Sequence, residues 1–304
     1  MTISALSRVA ALSLALAPAA AGAALKVVTT TEGLAALARE VGGDRVEVTS
    51  LSRASQDPHF VDANPTLAVK LRDAGLLVDV GLDLEIGWLP PLVNQSRNPD
   101  IQPGGSRRLT AATAVPVMDV PAGAVDRSQG DLHPGGNPHF LSDPRRARMV
   151  AAAMAAKLSA LDPTNAAFYR ARLADFEKRL AADEARWLAA LAPYRGSKVI
   201  ARHRTLTYLA DWCGLEVVGY LEPKPGIEPP PSHLADLVQL AKAEKVKAVL
   251  VETYYDARTA ELVARLSGAR VVLIPGDVGA ARDATTYEAY MDHLVRGIAG
   301  AFGA

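Results

Sequence analysis

The chain alternates short, β-branched apolar segments with amphipathic helical segments, and it does so in two successive halves. Strands that are apolar on both faces and alternate with helices are typical of a parallel sheet covered on both sides. We therefore predict an α/β fold of two parallel-sheet lobes, each sandwiched by helices. The predicted strands are Leu25–Thr30, Val46–Val48, Leu76–Val80 and Val115–Met118 in the first half, and Lys198–Ala201, Glu216–Val218, Ala248–Val251 and Arg270–Ile274 in the second.

A long helical pattern separates the two halves. From Asp162 to about Leu191, apolar residues recur every three or four positions and so form one stripe of a helix. At about 1.5 Å per residue the helix is roughly 40 Å long, and we interpret it as one long rigid connection between the lobes. The predicted divisions are an N-terminal lobe over residues 24–161, a linking helix over 162–193 and a C-terminal lobe over 194–304. Ligands bind beyond the carboxyl ends of parallel strands, so the expected site is the cleft between the lobes.

The first residues predict an export signal. Arg8 precedes an apolar run from Val9 to Ala17, and Ala21–Ala23 fits the small-x-small cleavage pattern. The run is shorter than the roughly 20 apolar residues that span a bilayer. We predict that residues 1–23 are a cleaved signal peptide and that the mature protein is periplasmic or secreted; the alternative is a buried N-terminal helix.

Charge, cysteine content and missing motifs exclude several classes of function. After residues 1–23 the acidic and basic side chains are almost equal in number, so we expect no basic surface for nucleic acid or membrane. Cys213 is the only cysteine in the sequence, which leaves no partner for an intramolecular disulfide and favours a small buried thiol. The sequence also has no P-loop, no Gly-x-Ser-x-Gly motif and no His-Glu-x-x-His motif.

One tetrapeptide pattern occurs twice in the chain. Asp57–Phe60 and Asn137–Phe140 each place a histidine between a proline and a phenylalanine, and each precedes a helical segment. A proline restricts the backbone next to the imidazole, and an aromatic ring can exclude water from it. The repeat predicts that two loops deliver His59 and His139 to the same metal ion.

Two further candidates follow strands of the second half. His203 lies two residues after a predicted strand, and Asp277 follows the last one. Three imidazoles and one carboxylate complete a tetrahedral zinc shell, with bonds of about 2.0–2.2 Å. A solvated basic cluster with Arg202 and Arg204 is the alternative for His203, and Asp283 is the alternative to Asp277.

The other three histidines and one glutamate are additional candidate ligands. His133 lies in a glycine-rich loop, which favours a surface role over that of an auxiliary ligand. His233 is in the first turn of a predicted helix, and His293 is on the C-terminal helix, so both are interpreted as structural or exposed. Glu252 follows a buried strand and is either a reserve ligand or simply a strand end.

With these residues placed, the chain resembles the metal-binding solute receptors of bacterial ABC importers, the ZnuA/TroA-type family. The similarity extends over essentially the whole mature chain. It rests on Asp57-Pro58-His59, on Gly136–Phe140 with Asp143-Pro144, on Gly81–Glu85 leading to Trp88, on the long central helix, and on Pro225–Ile227 leading through prolines to Ser232–Leu234.

The resemblance implies two α/β lobes joined by one long helix, with the metal held between them. It implies that His59, His139 and His203 are the imidazole ligands and that Asp277 is the carboxylate ligand. The serine that often follows this aspartate in the family is absent after Asp277.

Zinc is the predicted metal. A shell of three nitrogens and one oxygen suits Zn²⁺, and the resemblance implies the same, because manganese-binding relatives usually carry glutamate in place of the third imidazole. Many zinc-specific relatives also carry a His- and acid-rich insertion before the second ligand. Residues 120–136 offer only His133, Asp126 and Asp131 there, so Mn²⁺ and Fe²⁺ remain the alternatives.

The predicted function is capture of the ion without catalysis, because four protein ligands leave no position for an activated water. The resemblance implies delivery to an inner-membrane ABC permease and its ATPase, with a periplasmic metallochaperone as a partner that is left open. We expect a monomer, and we expect capture to weaken as the pH falls through about 6.5, where free imidazoles protonate. The alternatives are a zinc-dependent hydrolase with Asp277 or Glu252 as general base, and a metal-dependent adhesin.

Overall fold

The structure is a computed structural model that describes residues 23–123, 130 and 132–303. The predicted signal peptide, except its last residue, lies outside the described residues, as do Asp126 and Asp131. The first lobe consists of β1 (Leu25–Thr29), α1 (Glu32–Gly42), β2 (Val46–Ser50), α2 (Pro65–Arg72), β3 (Leu76–Asp79), α3 (Leu89–Ser96), β4 (Arg108–Thr110) and α4 (Pro144–Leu161). The chain continues through α5 (Ala166–Leu191), β5 (Lys198–Ala201), α6 (Thr207–Cys213), β6 (Glu216–Tyr220), α7 (Pro231–Ala243), β7 (Ala248–Glu252), α8 (Arg258–Ser267), β8 (Arg270–Ile274) and α9 (Tyr287–Gly303).

The two lobes have the same sheet topology. The strand order is β2-β1-β3-β4 in the first sheet and β6-β5-β7-β8 in the second, and every pair is parallel. The central strands β3 and β7 are buried along their whole length, as expected for strands covered on both faces. The predicted α/β fold with two parallel-sheet lobes is therefore confirmed.

The fourth strand of the first sheet differs from the prediction. The apolar segment Val115–Met118 is not a strand; the edge position is taken by β4, whose backbone pairs with β3. Pro116 has no N–H to give to a ladder, and its carbonyl instead accepts a hydrogen bond from the Arg146 side chain. On β4, Arg108 reaches the buried carboxylate of Asp79 at 2.8 Å, which holds this short edge strand in place.

The helix α5 packs against both lobes. Its 26 residues span about 39 Å, and its buried stripe includes Phe176, Leu180 and Trp187. It contacts α1 and α4 of the first lobe and α9 of the second. The largest cluster of buried apolar side chains contains residues of both lobes, such as Leu37 and Leu294, so one hydrophobic core runs through the molecule behind the cleft. Among the described residues, no helix has the length and apolar character that a membrane span requires.

Candidate metal centre

The two repeated tetrapeptides fold into the same turn. The N–H of His59 donates to the side chain of Asp57 at 3.0 Å, and the N–H of His139 donates to the side chain of Asn137 at 2.9 Å. An Asp or Asn that accepts a bond from the backbone two residues later forms an Asx turn, which the intervening proline favours. The sequence repeat is thus a repeated local structure that presents an imidazole.

Three of the four predicted ligands converge between the lobes. His59 and His139 come from loops of the first lobe and His203 from the loop after β5, and one nitrogen of each lies within 4.8 Å of the others. The ring centroids form a nearly equilateral triangle with sides of 5.2, 5.4 and 5.3 Å. The site is largely withdrawn from water, because the side chains of His59 and His203 are only 7% and 3% exposed.

A carboxylate and a phenol fix the orientation of His59. Its Nδ1 lies 2.7 Å from Asp57 Oδ1, and the hydroxyl of Tyr255, from the second lobe, donates to the other oxygen of Asp57 at 2.9 Å. Burial alone would raise the pKa of Asp57, but the hydrogen bonds with His59 and the charge of the imidazole lower that pKa to about 2. The ionised Asp57 therefore engages Nδ1 and leaves Nε2 as the ligand atom.

A second carboxylate fixes the orientation of His203. Glu222 Oε2 lies 2.8 Å from His203 Nδ1 and also accepts the backbone N–H of Gly226 at 2.9 Å. Both side chains are 3% exposed, so solvent screens this contact little. The contact again leaves Nε2 free, and it connects the imidazole to the proline-rich loop that precedes α7.

Of the three imidazoles, that of His139 is the one with a buried nitrogen that lacks a hydrogen-bond partner in the described residues; this nitrogen is Nε2. Burial, reinforced by the neighbouring imidazoles, lowers the pKa of His139 well below its usual value. A neutral imidazole with a buried, unpartnered nitrogen is a group that a metal ion would satisfy.

Asp277, the fourth predicted ligand, is engaged elsewhere. Its Oδ2 accepts the N–H of Glu32 at 3.0 Å, so a carboxylate of the second lobe occupies the N-terminus of α1 in the first. It lines a cavity of about 70 Å³ together with His139, but it is not part of the group whose ligand atoms lie within 4.8 Å. Burial raises the pKa of Asp277 to about 7.

Glu252 borders the same cavity. It lies at the end of β7, its Oε1 accepts a hydrogen bond from Thr205, and its Oε2 is buried with no partner in the described residues. Burial raises the pKa of Glu252 to about 8. The reserve candidate is thus a buried carboxyl in the cavity that His139 also lines, outside the group of three imidazoles.

Two of the remaining histidines lie away from the three imidazoles. His293 pairs with Asp283 on the surface at 3.0 Å, and neither side chain belongs to the group of three imidazoles. The ring of His233 bonds the carbonyl of Tyr220 at 2.9 Å.

His133 is the site residue that sequence reasoning undervalued. Its Nε2 lies 3.2 Å from Nε2 of His59, so it is not a free surface side chain. Burial and the charges of neighbouring imidazoles lower the pKa of His133 to about 3. The available signal was its place six residues before His139, in the loop that leads into the second Asx turn.

The fold and the site define a two-lobed protein with a cluster of imidazoles in its cleft. Its residues 27–301 match the family model described as zinc-uptake complex component A, periplasmic (ZnuA). The chain belongs to this family. The family places it among the metal-binding substrate-binding proteins of ABC transporters.

The relatives carry the names of two different metals. The manganese ABC transporter substrate-binding lipoprotein PsaA of Streptococcus pneumoniae is 26% identical over 250 residues, which are 79% of this chain and 76% of that protein. The zinc-binding lipoprotein AdcA of the same species is 23% identical over 278 residues, 90% of this chain and 54% of that protein.

Two solved structures share the fold of this chain. A crystal structure of ZnuA superposes with a TM-score of 0.77 at 25% identity, covering 91% of this chain and 99% of that one. The fold is shared with the Pseudomonas aeruginosa protein FpvC, solved in complex with Mn²⁺, with a TM-score of 0.77, 24% identity and coverage of 92% and 98%.

Proposed function

We propose that the protein captures one divalent transition-metal ion, most favourably Zn²⁺, and delivers it to an inner-membrane ABC permease that an ATPase drives. The observation that carries this proposal is the triangle of His59, His139 and His203, whose ligand nitrogens lie within 4.8 Å of one another in the cleft. Three imidazole nitrogens suit the borderline-soft Zn²⁺, whereas Mn²⁺ prefers more oxygen ligands. Mn²⁺ and Fe²⁺ are the alternative ions.

The role of Asp277 belongs to the same proposal. As the predicted oxygen ligand, it would have to leave the backbone N–H groups at the start of α1 before it could bind an ion with the three imidazoles. Because such a change would alter a contact between the lobes, it would couple the bound ion to the surface that a permease recognises.

The proposed setting is the periplasm, with the protein acting as a monomer after removal of a signal peptide. Residues 1–23 support this through their charge, apolar run and cleavage pattern. A periplasmic metallochaperone that loads the site is part of the proposal. We propose binding and release in place of hydrolysis or adhesion, because the family model is that of a metal-uptake component.

Elemental analysis tests the proposal. The mature protein is stripped of metal, offered equimolar Zn²⁺ and Mn²⁺, separated from free ions and analysed. We expect one zinc per chain, and none in His139→Ala, because that variant loses the buried nitrogen without a partner. His293→Ala is the matched control, since it removes a surface imidazole paired with Asp283. Manganese in place of zinc would overturn the choice of ion, and no bound metal would overturn the function.

A further inference from the structure

The environment of His133 contains an unusual contact between two ring nitrogens. Its Nε2 faces Nε2 of His59 at 3.2 Å, and the ring centroids are 5.3 Å apart. Asp57 already engages Nδ1 of His59, so the neutral form of that ring would carry its lone pair on Nε2. Two such nitrogens can approach this closely only around a shared proton or a shared cation.

The other nitrogen of His133 is engaged as well. The imidazole donates a hydrogen bond to the backbone carbonyl of Leu82, and because Nε2 faces His59, the donor is Nδ1. Leu82 and Asp83 have φ angles of 55° and 62°, in the left-handed region that non-glycine residues rarely adopt. The backbone of this turn is therefore in an unfavourable conformation at Leu82, the residue whose carbonyl holds His133. The hydrogen bond keeps Nε2 of His133 directed at the site.

The spacing agrees with a shared metal ion. Two nitrogens bound to one tetrahedral zinc at about 2.0–2.1 Å are about 3.3 Å apart, close to the observed separation. His133 also borders both the cavity that contains His139 and the groove that contains His59. His133 therefore lies where an ion would pass from solvent to the three imidazoles.

We propose that His133 is a metal ligand that supplies the fourth nitrogen of the loaded site in the lobe arrangement of this structure. Asp277 then keeps its place at the N-terminus of α1. The inference rests on the proposed function, because it assumes that His59, His139 and His203 hold an ion.

His133 lies outside the group whose ligand atoms are within 4.8 Å of one another, so the loop that carries it has to move to complete the shell. The centroid distance from His133 to His139 is 6.4 Å, about 1 Å longer than the 5.3 Å between His139 and His203. Glycines with positive φ, Gly130 and Gly136, flank the loop and allow backbone conformations that other residues avoid. A side chain at Gly130 would collide with the carbonyl of Pro225, so the loop lies directly against the second lobe.

X-ray absorption of the zinc-loaded protein tests the assignment by counting imidazoles. We expect four in the wild type, and three in His133→Ala and His133→Gln. Competition with a chelator should show a loss of affinity of about 10–100-fold or more in the His133 variants, because changes to groups that merely support a ligand already cost this much. His293→Ala is the matched control, and thermal melting of the metal-free variants verifies folding.

The outcomes separate this inference from the function on which it rests. Three imidazoles in the wild type, with the shell and affinity changed by Asp277→Ala and not by the His133 variants, would overturn the role of His133 and leave metal capture intact. A wild-type protein that binds no zinc would instead overturn the proposed function. The absorption of bound Co²⁺ is an independent check, since losing a nitrogen ligand shifts its visible bands.

Discussion

Two of the three imidazoles in the cleft are held by a carboxylate on the side away from the metal position. Asp57 holds His59, and Glu222 holds His203. Such contacts fix the tautomer and the ring orientation and make the ligand nitrogen more basic. The carboxylates are therefore part of the proposed metal site, although no ion would touch them.

Glu222→Gln tests this role. The amide keeps the size of the side chain but removes the charge that favours Nδ1–H on His203. We expect metal affinity to fall about 10–100-fold, measured by competition with a chelator. Glu228→Gln is the matched control, because Glu228 is exposed, pairs with Arg202 and makes no hydrogen bond or ion pair with an imidazole among residues 23–123, 130 and 132–303. Equal affinities for both variants would contradict the assignment.

Glu252 makes the stability of the metal-free protein depend on pH. Its pKa is about 8 in the folded chain, against 4.5 for a free carboxyl, so between these values the folded state binds more protons than the unfolded state. Stability should therefore fall as the pH rises through this window, by at most about 1.4 kcal/mol per pH unit from this one group.

The variant Glu252→Gln should flatten this dependence. Denaturant unfolding of the metal-free protein between pH 5 and 8 measures the slope, and the exposed Glu47→Gln serves as the control. Part of the slope should persist, because burial also raises the pKa of Asp277, to about 7. A slope that is identical in wild type and Glu252→Gln would show that Glu252 is ionised throughout.

Residue identity and position predicted part of the site but not all of it. His59, His139 and His203 follow recognisable loops, and the structure brings them together. His133 has no comparable motif, because its orientation depends on the carbonyl of Leu82, 51 positions earlier. The contacts of Asp277 with α1 were not predictable either, since the N-terminus of α1 is distant in sequence and competes for the same carboxylate.

At the level of elements, strands buried on both faces were the easiest to predict. β3 and β7 are central and apolar throughout, so their composition alone identifies them. The edge strand β4 is only three residues long and partly exposed, and its place depends on the pairing of Arg108 with Asp79. Three residues are too few to show a recognisable strand pattern. The apolar segment Val115–Met118 therefore matches that pattern better.

We expect α5 to couple the unfolding of the two lobes. Phe176 on α5 is fully buried in the core that both lobes share. Phe176→Ala should cost about 3–5 kcal/mol through lost burial and a residual cavity. Because the core is continuous, calorimetry should show one unfolding transition that moves to lower temperature as a whole.

Leu92→Ala is the comparison for this experiment. Leu92 is also fully buried, but it belongs to a smaller core on the outer side of the first lobe. Native-state hydrogen exchange should show loss of protection in both lobes for Phe176→Ala, and mainly in the first lobe for Leu92→Ala. Independent melting of the second lobe in Phe176→Ala would show that the lobes fold separately.

For the whole molecule, the shared core limits how far the lobes can move. A wide closing motion would have to break apolar contacts that run from β1 through α5 to α9, whereas the proposed ligands all lie on loops at the cleft. The lobes also contact each other at the cleft, through Tyr255 to Asp57 and through Asp277 to Glu32. Metal binding should therefore order loops more than it moves lobes.

Hydrogen exchange with and without zinc distinguishes these two kinds of motion. We expect zinc to slow exchange in the loops over residues 53–64, 130–140 and 221–230, because each carries a ligand or supports one, and to leave α5 unchanged. Small-angle scattering should give a radius of gyration of about 19 Å in both states. A decrease of more than about 1 Å on loading, with altered exchange along α5, would instead show domain closure about a hinge. Release to a permease would then require opening of the lobes, whereas loop ordering allows release by displacement of one loop.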